Sequence, residues 1–334
     1  IYPESVYQQG TGYMTFGDLQ PWGVYAKPAF WVAYSNKDGD TQWQKVYSKS
    51  TSGDVLEQAI PTKDGGYIML GTAHTSVTTS DVLLIKIKAD GSEEWTKTFD
   101  RSAVDQGISI AQGSDNSYVV GGTSGIGDFW LFKVASNGKI ILWNQTFNNT
   151  DTENVSFVTT DTDGNYLAVG EMVTAQKNWL VKINASNGTK IWDTTLEGPK
   201  VAAGNTTPEP FTIPATVRSR SGGGYVVGGT MARVARAGIV TLDASRNVLW
   251  DMSFTKSNFK DVQERADGEY VLSGNRADSN GDLRATIYVT GRRIQINTNT
   301  AITIPAITGP KTYTNVVANS NNPDSPSFNY YTNT

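Results

Sequence analysis

Asp64-Gly65-Gly66-Tyr67-Ile68-Met69-Leu70-Gly71 decides the fold. An Asp-Gly pair suits a hairpin turn, because glycine accepts positive φ without steric cost. The short apolar run bounded by turn residues reads as a buried strand ending at the glycine. The same Tyr-x-x-x-Gly pattern returns as Tyr13/Gly17, Tyr118/Gly122, Tyr166/Gly170, Tyr225/Gly229 and Tyr270/Gly274. The spacing is about fifty residues, a period that belongs to repeat architectures.

Working outward, each motif is followed by a second apolar run. These are Phe30 to Tyr34, Asp81 to Ile87, Asp128 to Val134, Trp179 to Ile183, Gly238 to Leu242 and Ala285 to Val289. A turn comes next, such as Asp90-Gly91, Asn137-Gly138 or Asn187-Gly188. Then a run carries Trp43, Trp95, Trp143, Trp192 or Trp250, and the sixth unit reads Ile294-Gln295-Ile296-Asn297 instead. One more strand precedes each motif, legible at Gly107 to Ala111, Val155 to Thr159 and Thr212 to Val217. Four antiparallel strands per unit, repeated around a ring, is the propeller rule. The expected fold is all-β: a six-bladed β-propeller of four-stranded antiparallel blades over residues 1–300, with an extended tail over 301–334. The repeated Tyr and Trp are expected to dock neighbouring sheets rather than to stack a substrate.

Composition narrows the function. The net charge is −4 and charged residues make up 18% of the chain, so no basic stripe exists for nucleic acid. No run approaches the roughly 18 apolar residues of a membrane helix. There is no cysteine, which excludes disulfides, thiol chemistry and thiolate-held metals. The start at Ile1-Tyr2-Pro3 and the surface rich in Ser, Thr and Asn are read as a processed, extracellular protein.

Asp64-Gly65-Gly66-Tyr67, then Asp81 to Lys88, Gly91 and Trp95, resembles a unit of the secreted bacterial and archaeal β-propeller repeat proteins. The resemblance covers roughly residues 5 to 297. Asn137-Gly138 before Trp143 and Asn187-Gly188 before Trp192 are similar to the tryptophan-docking repeat of quinoprotein dehydrogenases. That likeness stops at architecture, since the vicinal cysteine pair of those enzymes is absent and fold does not transfer function. The resemblance implies a cell-surface protein, of which an archaeal surface thread is one form.

Few residues invite chemistry. His74 is the single histidine, with no nucleophile elbow near it, and is expected on a surface loop. Asn36 to Asp40, Asp161 to Asn165 and Asp278 to Asp282 alternate oxygen side chains around glycine as Ca²⁺ loops do, but lack the later glutamate. They are expected to be plain turns. Glu93-Glu94 reads as a solvated charge pair, and no carboxylate pair can be nominated for glycosidase work. Catalytic, cofactor and metal residues are therefore expected to be none. Sequons occur at Asn144, Asn148, Asn154, Asn184, Asn187 and Asn205, where chance alone gives about five. N-linked glycans are expected partners.

The tail adds the last expectation. Ile294, Ile296, Thr298, Thr300, Ile302 and Ile304 alternate with mostly polar residues, a strand with one β-branched face. Ile302, Ile304, Ile307, Val316 and Val317 are the candidate assembly residues. The tail either covers an edge of its own propeller or adds a strand to another copy. The expected function is a non-enzymatic structural subunit of an extracellular filament or layer, self-associating through the tail. A secreted glycan- or protein-binding module is the alternative, followed by a carbohydrate-active enzyme.

Overall fold

The structure is a computed structural model, described for residues 2–19, 27–76, 78–125, 128–149, 151–199, 211, 213–231, 236–277, 283–289, 292–295 and 327–330. All regular structure among them is β. Blade one is β1 (Tyr2–Gln9), β2 (Gly12–Leu19), β3 (Ala29–Ser35) and β4 (Thr41–Tyr47). Blade two is β5 (Asp54–Pro61), β6 (Tyr67–His74), β7 (Ser80–Ile87) and β8 (Glu93–Phe99). Blade three is β9 (Asp105–Gln112), β10 (Tyr118–Ser124), β11 (Asp128–Val134) and β12 (Ile141–Phe147). Blade four is β13 (Glu153–Thr160), β14 (Tyr166–Met172), β15 (Lys177–Ile183) and β16 (Lys190–Leu196). Blade five is β17 (Ile213–Ser219), β18 (Tyr225–Met231), β19 (Arg236–Leu242) and β20 (Val248–Thr255). Blade six is β21 (Ser257–Glu264), β22 (Tyr270–Ala277), β23 (Leu283–Val289) and β24 (Arg292–Gln295). A last strand, β25 (Ser327–Tyr330), pairs antiparallel with β20. Six sheets of consecutive strands make this a six-bladed β-propeller.

The motif glycine has a different reason from the one its sequence suggests. The strand does not end there: β6 runs through Gly71 to His74. In every blade the glycine faces a β-bulge in the first strand, as Gly71 faces Leu56 and Gly170 faces Val155. A bulge brings the opposing backbone close. A Cβ at Gly71 would lie 2.0 Å from the Val55 carbonyl, and one at Gly274 would lie 1.9 Å from that of Asn258. Only a residue without a side chain fits.

Two compact units divide the chain: Ile1–Thr174 with Val181–Asp193, and Ala175–Leu180 with Thr194–Thr334. In the first, Met14, Phe16, Phe30 and Val32 of blade one pack on Tyr67, Met69, Leu83 and Ile85 of blade two. Val82, Leu84 and Phe99 pack likewise on Tyr118, Val120 and Phe132 of blade three. In the second, Val226, Ile239 and Phe254 meet Phe259, Val262 and Tyr270. Trp95 and Tyr118 have ring centroids 6.1 Å apart, Trp143 and Tyr166 6.2 Å, and Trp250 and Tyr270 5.6 Å. The repeated Trp and Tyr are docking residues. The turn glycine of the next blade makes room for Trp43, Trp95 and Trp143: a Cβ at Gly138, whose φ is +71°, would meet Trp95 at 2.6 Å.

Candidate functional site

Blades two, three and four carry charge at both ends. At one end a buried lysine ties the third strand to the turn before the motif. Lys86 Nζ lies 3.0 Å from Asp64 and 2.7 Å from Glu94. Lys133 Nζ lies 2.8 Å from Asp115 and donates to the Ala185 carbonyl at 2.7 Å. Lys182 sits between Asp161 and Asp163, at 2.5 and 2.6 Å. Burial alone would push these turn carboxyls up. Hydrogen bonds and the adjacent ammonium hold Asp64 and Asp163 below the usual range and Asp115 at about 2. Asp161 to Asn165 is thus a turn whose carboxylates are already met by an ammonium. Asn36 to Asp40 is closed by its own Asn36 side chain, which accepts from the Asp38 and Asp40 amides. Asp278 to Asp282 lie outside the described residues.

At the opposite end of blade two the arrangement reverses. Asp81 opens the apolar part of β7, Asp100 follows β8, and Asp105 begins β9 of blade three. Carboxylate oxygens of all three lie within 4.8 Å of one another. Asp81 and Asp100 border an open cleft of about 460 Å³ with Thr75, Thr79 and Ser102 at its wall. Asp105 is fully buried and structural: it accepts from the Arg101 amide at 2.6 Å, the Ser102 amide at 2.9 Å and the Ser102 hydroxyl at 2.8 Å. Burial raises its pKa, and these bonds with one from Ser124 outweigh that and lower it. Asp81 goes the other way, raised by burial and then by the charges of Asp100 and Asp105. Among the described residues no cation pairs with Asp81 or Asp100. Neighbouring carboxyls whose proton affinities are pushed apart are an arrangement suited to proton transfer.

Among the described residues the position is unusual in blade two alone. Pairing of Val82 with Phe99 places Asp81 beside Asp100. The same register in blade three sets Asp128 beside Asn148, whose amide donates to it at 2.8 Å. In blade four the pair is Lys177 and Glu197, at 3.4 Å. In blade five it is Arg236 opposite Thr255. Among the described residues like charges face each other at this position in blade two alone, and opposite or neutral partners stand there in blades three, four and five. The sequence carries a trace of this, since Asp81 and Asp128 stand at the start of equivalent runs. Which residue stood across the strand was not legible.

The other expected sites scatter. His74 ends β6 rather than lying in a loop, and its backbone pairs with Ser52 and Gly53. Glu93 and Glu94 are both exposed, as expected, and each also holds a lysine: Glu94 holds Lys86, and Glu93 holds Lys49 at 2.5 Å. Asn144 lies on β12, Asn154 on β13, and Asn148 just past β12. Asn184 and Asn187 lie in the turn before β16. Asn205 lies outside the described residues, as do Ile302, Ile304, Ile307, Val316 and Val317. The described tail strand, Ser327–Tyr330, comes from the Asn- and Ser-rich end and not from the isoleucine alternation.

No family model and no curated protein matches the sequence. Solved structures resemble it in fold. A protein of unknown function from Bacteroides caccae superposes with a TM-score of 0.52 at 15% identity, covering 83% of this chain and 90% of that one. The NanB sialidase of Streptococcus pneumoniae gives 0.53 at 9%, with coverage of 85% and 67%. A puromycin hydrolase gives 0.52 at 10%, with 91% and 54%, so this chain spans about half of that enzyme. At such identities the likeness is one of fold. It corrects the expectation of a non-enzymatic protein: enzymes are built on this fold. The missing histidine constellation excluded one mechanism, not catalysis. Carboxylates brought together from different strands, as at Asp81, Asp100 and Asp105, are invisible to a motif search.

Proposed function

We propose that this chain is an extracellular propeller module that associates with copies of itself by exchanging its C-terminal strand, as a subunit of a surface filament or layer. The observation that carries the reading is β25 on the edge of β20, with Trp250, Asp251, Met252 and Ser253 opposite Tyr330, Asn329, Phe328 and Ser327. That ladder makes the same backbone bonds whether the strand comes from its own chain or from another, so effective concentration decides between them. Residues 296–326 separate β24 from β25, and a connection of that length spans up to roughly 100 Å when extended. Strand exchange is a low-cost route to assemblies, and a head-to-tail contact that does not close gives a filament. The polar, low-charge composition supports the extracellular setting. Negative-stain microscopy of the full chain is expected to show polymers, and a variant with Phe328→Pro and Asn329→Pro is expected to show single particles. Unchanged polymers from the variant, or single particles from the parent, overturn the reading.

A second reading has the acidic cleft behind it: proton-transfer chemistry in which Asp81 donates and a neighbouring carboxylate stays ionised. Hydrolysis of chromogenic glycosides and esters by the full chain, abolished by Asp81→Asn, is the expected result. A parent chain inactive across the panel, or activity unchanged in the variant, removes it.

A further inference from the structure

An open sheet edge invites a foreign strand, and natural proteins blunt such edges with charge or cover. Of the fourth strands, β4 carries Lys45, β8 carries Glu93, Glu94 and Lys97, and β16 carries Lys190 and Asp193. The sequence of β24 holds Arg292 and Arg293. Two strands break the pattern. In β20 the one charge, Asp251, is buried, and β25 covers the edge. In β12, Ile141-Leu142-Trp143-Asn144-Gln145-Thr146-Phe147, there is no charge at all. Ile141 and Leu142 are exposed, as is Ile140 before them, and no described strand pairs with the β12 edge.

What β12 has instead is Asn144-Gln145-Thr146. Asn144 and Thr146 share one strand face and are both exposed. The Trp130 indole donates to Asn144 Oδ1 at 2.7 Å. That bond fixes the amide by its oxygen and leaves Nδ2, the atom that carries a sugar, on the opposite side. Asn187 offers the same arrangement, its Oδ1 accepting from the Thr189 amide at 3.0 Å and hydroxyl at 2.8 Å, but in a turn. Asn148 commits its Nδ2 to Asp128, and Asn154 is half-buried within β13.

We propose that Asn144 is an N-glycan acceptor whose sugar shields the uncharged, apolar edge of β12 from strand addition. The proposal rests on the extracellular reading above. To test it, the full chain is produced through the secretory pathway of a glycosylating cell and mapped by peptide mass before and after enzymatic glycan release. Release is expected to convert Asn144 to Asp. Asn144→Gln is expected to begin associating at a several-fold lower protein concentration. Asn187→Gln is expected to lose a glycan and associate as the parent does. Adding Leu142→Lys to Asn144→Gln puts charge back on the edge and is expected to restore the parental behaviour. An unmodified Asn144 in the secreted chain overturns the proposal, as does an Asn144→Gln chain that associates no more than the parent, or one that Leu142→Lys does not rescue. Exchange of β25 leaves the glycan mass unchanged, so that reading and this one fail separately.

Discussion

The two ends of blade two put opposite demands on the same kind of residue. At one end Lys86, 2% exposed, is held by two carboxylates. At the other, three carboxylates converge and no cation among the described residues answers them. The first arrangement recurs with Lys133 and Lys182 and is part of how a blade is built. The second does not recur, because blade three has Asn148 where blade two has Asp100. Charge that is neutralised in the same way blade after blade is architecture. Charge left unneutralised in one blade is where chemistry has room to act.

The largest test removes the cation. Lys86→Ala leaves Asp64 and Glu94 facing each other around a buried void. Both carboxylates reach solvent in part, so the loss is put at about 2–3 kcal/mol, below the usual figure for breaking a fully buried pair. Lys86→Met keeps the volume but not the charge and is expected to cost about half of that. Urea unfolding measures both, and equal losses would mean that packing, not charge, holds this end. Next comes Asp105→Ala at the other end. It strands the Arg101 and Ser102 amides and is expected to cost about 1–3 kcal/mol. A stabilising result would show that repulsion within the trio outweighs the loop it caps.

Much of this organisation is legible in the sequence, and the limit has a physical cause. Tyr-x-x-x-Gly gave six blades because an apolar run between turn residues is a local signal. Its glycine was misjudged because the bulge it faces lies on another strand. Lys86, Lys133 and Lys182 each stand one residue before the end of the third strand, yet a lysine in an apolar run does not announce burial until its carboxylates are placed. Asp81, Asp100 and Asp105 come from one short segment but from the ends of three strands, and only register brings their oxygens together. The isoleucine alternation begins in β24 with Ile294 and its remainder lies outside the described residues, while the described strand that docks on β20 is Ser327–Tyr330.

The smallest effects are the most discriminating, because the two ends should answer acid with opposite sign. Asp115, held at about 2, is ionised in the fold below the pH at which the unfolded chain takes up its proton. Its contribution is complete above the ordinary carboxylate pKa and is lost as pH falls from there toward about 2. Asp64 and Asp163 act in the same direction. Asp81 is raised, so the fold binds its proton more tightly than the unfolded chain does. Its contribution is complete below the ordinary carboxylate pKa and is lost as pH rises through the raised value. Asp100→Asn, which gives blade two the amide of blade three, removes one of the like charges. It is expected to stabilise the chain at neutral pH by about 0.2–1 kcal/mol, the worth of a like-charge pair across strands. The gain should vanish once acid has protonated Asp81 in the parent. Unfolding followed against pH in parent and variant reads this directly. A gain that persists undiminished at acid pH would mean that Asp81 is not the proton-holding member of the trio, and that the two ends of the blade differ in packing rather than in charge.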